Sequence, residues 1–402
     1  MEKIRDILII GGGASGLACA VSASHTVGNL DIVIADRMPK VGKKLLVTGN
    51  GRCNLSNVNV SEKFYHGTVD VGSLISEFPD IRPFMGTLGL FTYTDTAGRI
   101  YPLPNTAASV SDALRFAVNG RGVSVLTDCD CSHIKKTGGH FSVITSLGEI
   151  KARAVVLACG GMAAQVHGSN GSGFKLAESM GLELNCPYPA LCPLTAEGTK
   201  GLEGLRAACK AELVCDGKIA ALERGEVQFT KSGLSGICIF NLSACLDKDG
   251  CSVRLDLAPD YFMGELKAML SSAVRSRRGC EAQDCFTGIF ARQLVLYLLK
   301  RTGIAPTKYV SKLSEKEIAA FAETAKGLCF KIIGKSDFAS AQVTAGGIKG
   351  KEINTDFMAK KVKGLFLCGE ILDIWGCCGG YNLHFAFSSG IKAGTSAANF
   401  LR

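Results

Sequence analysis

The 402 residues contain no Cys-x-x-Cys, although cysteine itself is abundant at 18. That absence argues against a zinc ribbon or a thioredoxin-like redox motif. No apolar run reaches the ~18 residues that a membrane helix needs. A mean hydropathy of +0.21 therefore points to a large buried core, and no membrane partner is expected. Charged residues make up 20% of the chain, and the net charge of +9 is scattered. Arg275, Arg277 and Arg278 form the densest cluster, followed by Lys360, Lys361 and Lys363. Without a concentrated basic stripe, solvated faces and attraction for an anionic ligand are expected rather than nucleic-acid binding. The histidines lack metal-ligand spacing, so no metal is expected. No long internal repeat or low-complexity linker occurs, and the length suggests two or three domains.

Several cysteines sit in apolar runs, such as Cys159, Cys238 and Cys368, where the thiol acts as a small hydrophobe. Lys3 and Arg5 ahead of an apolar run resemble a secretion signal in outline, but a glycine turn interrupts that run. A reducing, cytoplasmic location with free thiols is the expectation. Cys377-Cys378 raises the possibility of a redox dithiol; bridging adjacent cysteines closes a strained ring, so two thiols are expected.

The most informative segment lies at the N-terminus. Ile7-Leu8-Ile9-Ile10 runs into Gly11-Gly12-Gly13-Ala14-Ser15-Gly16, and a second strand-like run, Asp31 to Ala35, ends at Asp36. This is a βαβ unit with a dinucleotide-binding fingerprint. Gly11 permits the tight turn, Gly13 lets backbone approach a pyrophosphate, and Gly16 lets helix and strand pack closely. The helix N-terminus offers N–H groups and partial positive charge to phosphates. Asp36 stands where a carboxylate can accept from a ribose hydroxyl.

Further along, Ser111 to Val118 reads as a helix with Ser111 as a candidate N-cap. Runs at 123–126, 140–144 and 154–158 suggest a β-meander returning to the main sheet. Val155 to Cys159 is continuously apolar, as in a strand buried on both faces, and ends at Gly160-Gly161. Pro187, Pro189 and Pro193 mark a boundary. The expected organisation is α/β: a split Rossmann-like domain in residues 1–189 and 341–402, interrupted by a β-rich insert at 190–258 and a helical insert at 259–340. Within the latter, Ser314 and Glu317 form a capping box. Gly364 to Cys368 is another buried-strand run, ending in Gly369-Glu370. The closing helix, expected over about 388–401, carries Gly390, Ala393, Gly394 and Ala397 on one face.

A lone glycine fingerprint does not separate NAD from FAD. The two late strands ending at Gly160-Gly161 and Gly369-Glu370 favour FAD, because a C-terminal strand of that kind presents an acidic residue to the middle of the cofactor in two-dinucleotide-fold flavoproteins. No second Gly-x-Gly-x-x-Gly follows a strand, so a dedicated NAD(P)H domain is not expected; NAD(P)H remains a candidate transient donor.

Five segments carry a family resemblance: Gly42 to Asn54, Phe229 to Gly236, Val343 to Ile348, Gly369 to Asp373 and Gly379 to Leu383. In these the chain resembles the HI0933-like, BaiN and aminoacetone oxidase-like family of FAD-dependent flavoproteins. The resemblance implies an FAD domain split by a β-barrel-like domain and a helical domain. It also implies oxidoreductase activity on a small-molecule substrate: first, reduction of an unsaturated bond in a small apolar or sterol-like molecule; second, amine oxidation. An RNA-modifying flavoprotein and a non-catalytic flavin sensor are the alternatives from other classes. Family members commonly have Glu at the position of Asp36, His at that of Lys231 and Pro at that of Ile237. The latter two departures fall in the insert and bear on substrate choice.

On this reading Gly11, Gly13, Ala14, Ser15 and Gly16 cradle the pyrophosphate, and Asp36 holds the ribose with Arg37 beside it. Lys43, Lys44, Gly51, Arg52, Cys53 and Asn54 form a donor-rich loop suited to a phosphate or to the flavin N1–C2 edge, where positive charge stabilises reduced flavin. Cys131 offers backbone to the adenine. Gly160, Gly161, Gly369, Glu370 and Asp373 follow the two late strands, one of the acids orienting the ribityl chain or its loop. Gly380, Tyr381, Asn382 and Leu383 adjoin the isoalloxazine, with Tyr381 and Asn382 either lining the site or bracing the turn. His384 could approach substrate. The substrate pocket is expected where the insert faces the ring.

Overall fold

A computed structural model describes residues 3–246 and 249–402. The chain divides into two compact units, one formed by the residues up to Pro189 together with Phe338–Arg402, the other by Ala190–Asp337.

The first unit is built on a seven-stranded sheet. Its order is Ser124–Leu126, Ile32–Ala35, Ile4–Ile10, Gly148–Leu157, His140–Thr145 and Cys131–Thr137, with Leu365–Leu367 pairing alongside Gly148–Leu157. The first four strands and Leu365–Leu367 are parallel. The His140–Thr145 and Cys131–Thr137 strands add the antiparallel meander. Ile7 to Ile10 and Ala154 to Leu157 are buried on both faces, which explains why these strands are unbroken apolar runs.

Two helices cover one region of this sheet. The helix Ala14–Thr26 follows the glycine turn, and the closing helix Tyr381–Phe400 packs on it. Gly390 and Gly394 make that contact possible: a Cβ at the first would fall on the Ser15 carbonyl, and at the second on the Cys19 carbonyl. The closing helix begins at Tyr381, several residues before the expected start, because Gly379 and Gly380 turn the chain with φ of 140° and 103°. The helix expected from Ser111 spans Ala107–Gly120 instead. Thr106 caps it by accepting from the Ala108 N–H, and Ser111 is buried inside it.

The second unit holds a closed antiparallel barrel. Its strands follow the order Leu194–Ala196, Gly233–Ser235, Lys218–Thr230, Arg206–Cys215, Ser252–Asp256 and Leu328–Lys335. Leu328–Lys335 lies within the 259–340 stretch read as helical, so the chain returns to the barrel after its helices. Barrel residues Phe229, Leu255 and Phe330 share one core with helical residues Leu270, Leu298 and Phe321. Ser314 caps the helix Glu315–Lys326 through the expected box with Glu317. Cys215 and Cys251 are joined by a disulfide within this unit. This departs from the expectation of thiols alone: the strands of Arg206–Cys215 and Ser252–Asp256 are paired neighbours, which brings their ends together. Among the described residues no helix is long and apolar enough to cross a membrane.

Candidate active site

The carboxyl ends of four parallel strands form one row. Ile10 pairs with both Ala35 and Leu157, and Leu157 pairs with Leu367. In open α/β sheets ligands bind beyond this edge. After Ile10, Leu157 and Leu367 the chain passes through Gly11 (φ 108°), Gly160 (φ 69°) and Gly369 (φ 75°). The Gly11 and Gly369 turns pack on the same helix start. A Cβ at Gly16 would fall on the Gly11 carbonyl, and one at Gly369 on the Ser15 hydroxyl. Gly13 is the contrasting case, since a Cβ there would meet no heavy atom within 4 Å. It precedes Ala14–Thr26 without a side-chain cap, and the first turn has no acidic residue. The helix therefore presents uncapped N–H groups and positive potential to open space, which suits a pyrophosphate.

Asp36 is held at the end of its strand by two backbone donors. Its Oδ2 accepts from the Gly12 N–H at 2.6 Å and its Oδ1 from the Met38 N–H at 2.8 Å. An ionised carboxylate has further lone pairs, so the fixed group can still accept from a ribose. Arg37 donates through Nη2 to Asp130 Oδ2 at 3.2 Å, while its Nη1 is buried without a partner among the described residues. Cys131 is buried at the start of its strand, and burial above all raises its thiol pKa. That favours the incidental reading of its side chain.

The 43–54 loop is shaped by left-handed backbone. Gly49, Asn50, Gly51 and Cys53 have φ of 56°, 56°, 80° and 59°. Lys44 Nζ lies 2.7 Å from Glu370 Oε2, and Glu370 Oε1 accepts from the Thr344 N–H at 2.8 Å. The expected cation at Lys44 is thus matched by a carboxylate, and the pair clasps the loop to the return segment. Arg52 is exposed, with its guanidinium 4.9 Å from the Tyr101 ring centroid. Lys43 is half-buried beside them. Burial pushes the Cys53 thiol up to about 12. Asn54 Oδ1 is buried and, among the described residues, unpartnered.

In the return segment the structure sorts the candidates. Asp373 is buried, and its Oδ2 accepts from Thr68 Oγ1 and Asn185 Nδ2, both at 2.7 Å. It braces two chain segments, so Glu370 is the better placed of the two acids for a cofactor. Asn382 braces the turn before it: Oδ1 accepts from the Gly376 N–H and Nδ2 donates to the Gly376 carbonyl, each at 2.7 Å. The Tyr381 ring stacks on Phe64 at 4.4 Å. Leu383 packs partly buried against the core. Gly161 abuts Thr344, whose hydroxyl accepts from the Met162 and Ala163 N–H groups at 2.7 and 3.0 Å. Thr344 was not among the candidates, since nothing in a lone threonine signals that role. His384 is buried and shares a 2.8 Å hydrogen bond with Ser56. Burial pulls its pKa down to about 4, so the ring is neutral near pH 7.

The open cradle at Gly13, the uncapped helix and the orphaned Arg37 and Asn54 atoms all fit a bound dinucleotide. This fold and site define an FAD-dependent oxidoreductase on a Rossmann-type domain. Within that class the chain belongs to the HI0933-like family, whose Rossmann-domain model matches residues 5–396. It is 33% identical to a 3-dehydro-bile acid delta(4,6)-reductase of Clostridium scindens, over 97% of this chain and 98% of that protein. It is 26% identical to a ribosomal RNA dihydrouridine synthase of Escherichia coli K12, over 97% and 96% of the two chains. Among solved structures, a 3-ketosteroid delta1-dehydrogenase of Sterolibacterium denitrificans is similar with a TM-score of 0.54 and 12% identity. That match covers 98% of this chain and 99% of the dehydrogenase, and it shows a shared fold.

Proposed function

We propose that the protein reduces a carbon–carbon double bond conjugated to a carbonyl in a small apolar, sterol-like molecule, using NAD(P)H as transient donor. One observation carries the reading: 33% identity over nearly the full length of a relative named as a bile-acid reductase. The alternative relative, named for dihydrouridine synthesis, also has a name that describes saturation of a carbonyl-conjugated double bond. The shared chemistry is stronger support than either substrate.

FAD supplies a hydride at N5 when bound and reduced. The chain's residues supply the rest. On this reading the Gly11–Gly16 turn and the helix behind it hold the pyrophosphate, and Asp36 orients the ribose. Gly160, Gly161, Gly369 and Glu370 border the middle of the cofactor, and Gly379-Gly380 offers backbone to the ring. Lys44 is paired with Glu370, so the loop's remaining positive charge near the cofactor comes from Lys43 and Arg52.

A second reading, RNA uridine reduction, is favoured by the 26% relative and by the net charge of +9. One anaerobic experiment separates the two. The purified protein should show a flavin band near ~450 nm that NADH or NADPH bleaches. A 3-oxo-Δ4 steroid such as 4-androstene-3,17-dione should then restore it, and a uridine-containing ribosomal RNA fragment should not. Restoration by the RNA alone overturns the small-molecule reading.

A further inference from the structure

Hydride addition to a conjugated double bond leaves a carbanionic carbon that must receive a proton, and His384, Asp373 and Glu370 are each otherwise engaged. His384 is buried and neutral, Asp373 is consumed in bracing, and Glu370 is paired with Lys44. A donor has to be sought elsewhere on the return segment.

The strand Ile374–Gly376 pairs antiparallel with Tyr65–Gly67, placing Trp375 directly opposite His66. Their rings stack with centroids 4.1 Å apart and planes 19° from parallel. The chain then turns at Cys377, whose N–H donates to the Phe64 carbonyl at 2.8 Å. That bond ties the turn to the strand carrying His66. The Cys377 Sγ lies 3.8 Å from His66 Nε2, within hydrogen-bond reach for sulfur. Cys378 Sγ lies 3.7 Å from Gln342 Oε1. Gly379 and Gly380 follow at once. His66 is exposed and also lines an open depression with Glu62, Tyr65, Asp70 and Val71, so the pair is reachable from solvent.

We propose that the Cys377 thiol, hydrogen-bonded to His66, is the proton donor that completes reduction of the double bond. This rests on the reductase reading above and adds its missing acid. The balance is simple. The π bond breaks as one carbon takes hydride from reduced FAD, which is thereby oxidised by two electrons. The other carbon takes the Cys377 proton, and the S–H bond becomes a thiolate. Solvent, through the His66 ring, returns the proton. The donor is common to a steroid enone and to a uracil ring, so it holds for either substrate.

The electrostatics suit an acid rather than a nucleophile. His66 is exposed as a residue, but desolvation of its ring still lowers its pKa; in the Nδ1–H tautomer the neutral ring accepts from S–H at Nε2 without removing the proton. Tyr381, another titratable group near Cys377, is itself pushed up by burial and then by that thiol, and Cys378 adjoins it in sequence. Glu62 and Asp70 border His66 within the depression, and Lys63 lies over the Phe64 ring at 5.0 Å.

Two measurements test the assignment. In the protein without substrate, the infrared S–H stretch of Cys377 is isolated as the wild-type minus Cys377→Ser difference. It should lie at the low frequency of a hydrogen-bonded thiol and rise in His66→Phe, which keeps the aromatic stack but removes the acceptor. An unchanged band overturns the pairing. In the second, dithionite-reduced protein is mixed anaerobically with 4-androstene-3,17-dione. Reoxidation should slow by about 10²-fold in Cys377→Ala, the lower end of what a positioned general acid contributes. Bleaching by NAD(P)H should stay intact, Cys378→Ser should reoxidise normally, and His66→Gln should fall less than His66→Phe. Reoxidation of Cys377→Ala at the wild-type rate overturns the donor and leaves the reductase reading standing. A wild type that NAD(P)H bleaches but neither the enone nor the RNA reoxidises overturns the reductase reading and the donor with it.

Discussion

Gly390→Ala should separate the two jobs of the closing helix. The substitution lies within Tyr381–Phe400 and puts a methyl group onto the Ser15 carbonyl, with the Ser15 C and Cα each 3.0 Å away. All three atoms are backbone, so no side chain can turn aside. Overpacking of this kind costs about 1–3 kcal/mol, while replacing a helical glycine by alanine returns about 1 kcal/mol. Rigid neighbours favour the upper part of that range, giving a net loss of about 2 kcal/mol. The obstructed residue is also the second of the helix that faces the proposed pyrophosphate. Displacing it should weaken FAD binding about tenfold, the equivalent of 1.4 kcal/mol. Trp375, the single tryptophan, is buried in the same unit and reports its unfolding in urea. FAD affinity follows from quenching of flavin fluorescence on titration. The control is Gly86→Ala in the helix Arg82–Thr87, where a Cβ meets nothing within 4 Å. That variant should be neutral or slightly stabilised. A Gly390→Ala protein as stable as Gly86→Ala, with wild-type FAD affinity, would refute the close-approach argument.

Other expectations follow from the same geometry. Asp36→Asn replaces an acceptor of two backbone N–H groups by one that can accept with a single oxygen; losing a charge-assisted bond costs about 1.5–3 kcal/mol, and FAD affinity should fall at least tenfold by equilibrium dialysis. Lys44→Met and Glu370→Gln each strand a partly buried charge or its partner and should destabilise by about 1–2 kcal/mol, less than the 3–5 kcal/mol of fully buried pairs; the double variant in urea should lose less than the sum. His384 titrates near its ordinary value when unfolded but at about 4 when folded, so the unfolded state binds more protons between those values. Stability is therefore full above about pH 6.5 and falls as pH drops toward 4. The loss is about 3 kcal/mol at about 1.4 kcal/mol per unit. Urea midpoints for His384→Gln should lack most of that slope, and an identical slope would count against a buried neutral ring.

Much of the carboxyl edge of the sheet was legible because local chemistry dictates it. Gly11, Gly13 and Gly16 declare a turn, an open approach and a helix contact through spacing alone, and each does so in the structure. Buried runs such as Val155 to Leu157 declare a doubly covered strand. The capping box at Ser314 needs only its own four residues. Other features depend on partners far away in sequence. Nothing near Lys44 reveals that Glu370 neutralises it across 326 positions. Asp373 looks like a ligand until Thr68 and Asn185 are seen to claim it. Ser111 looked like a cap because its own residue type is right, yet Thr106 stands where the chain actually enters the helix.

The amino-acid order by itself determined the glycine turn after the first strand, the flavin family and the Rossmann-type fold, because glycine spacing and hydrophobic period act over a few residues at a time. Only the folded chain decided which of the marked polar groups remain available. Ion pairs and hydrogen bonds between distant segments consume Lys44, Asp373 and Asn382, and strand pairing sets His66 against Trp375 and within reach of Cys377. Such assignments depend on distances of a few ångströms, and only tertiary packing brings residues 300 positions apart to that separation.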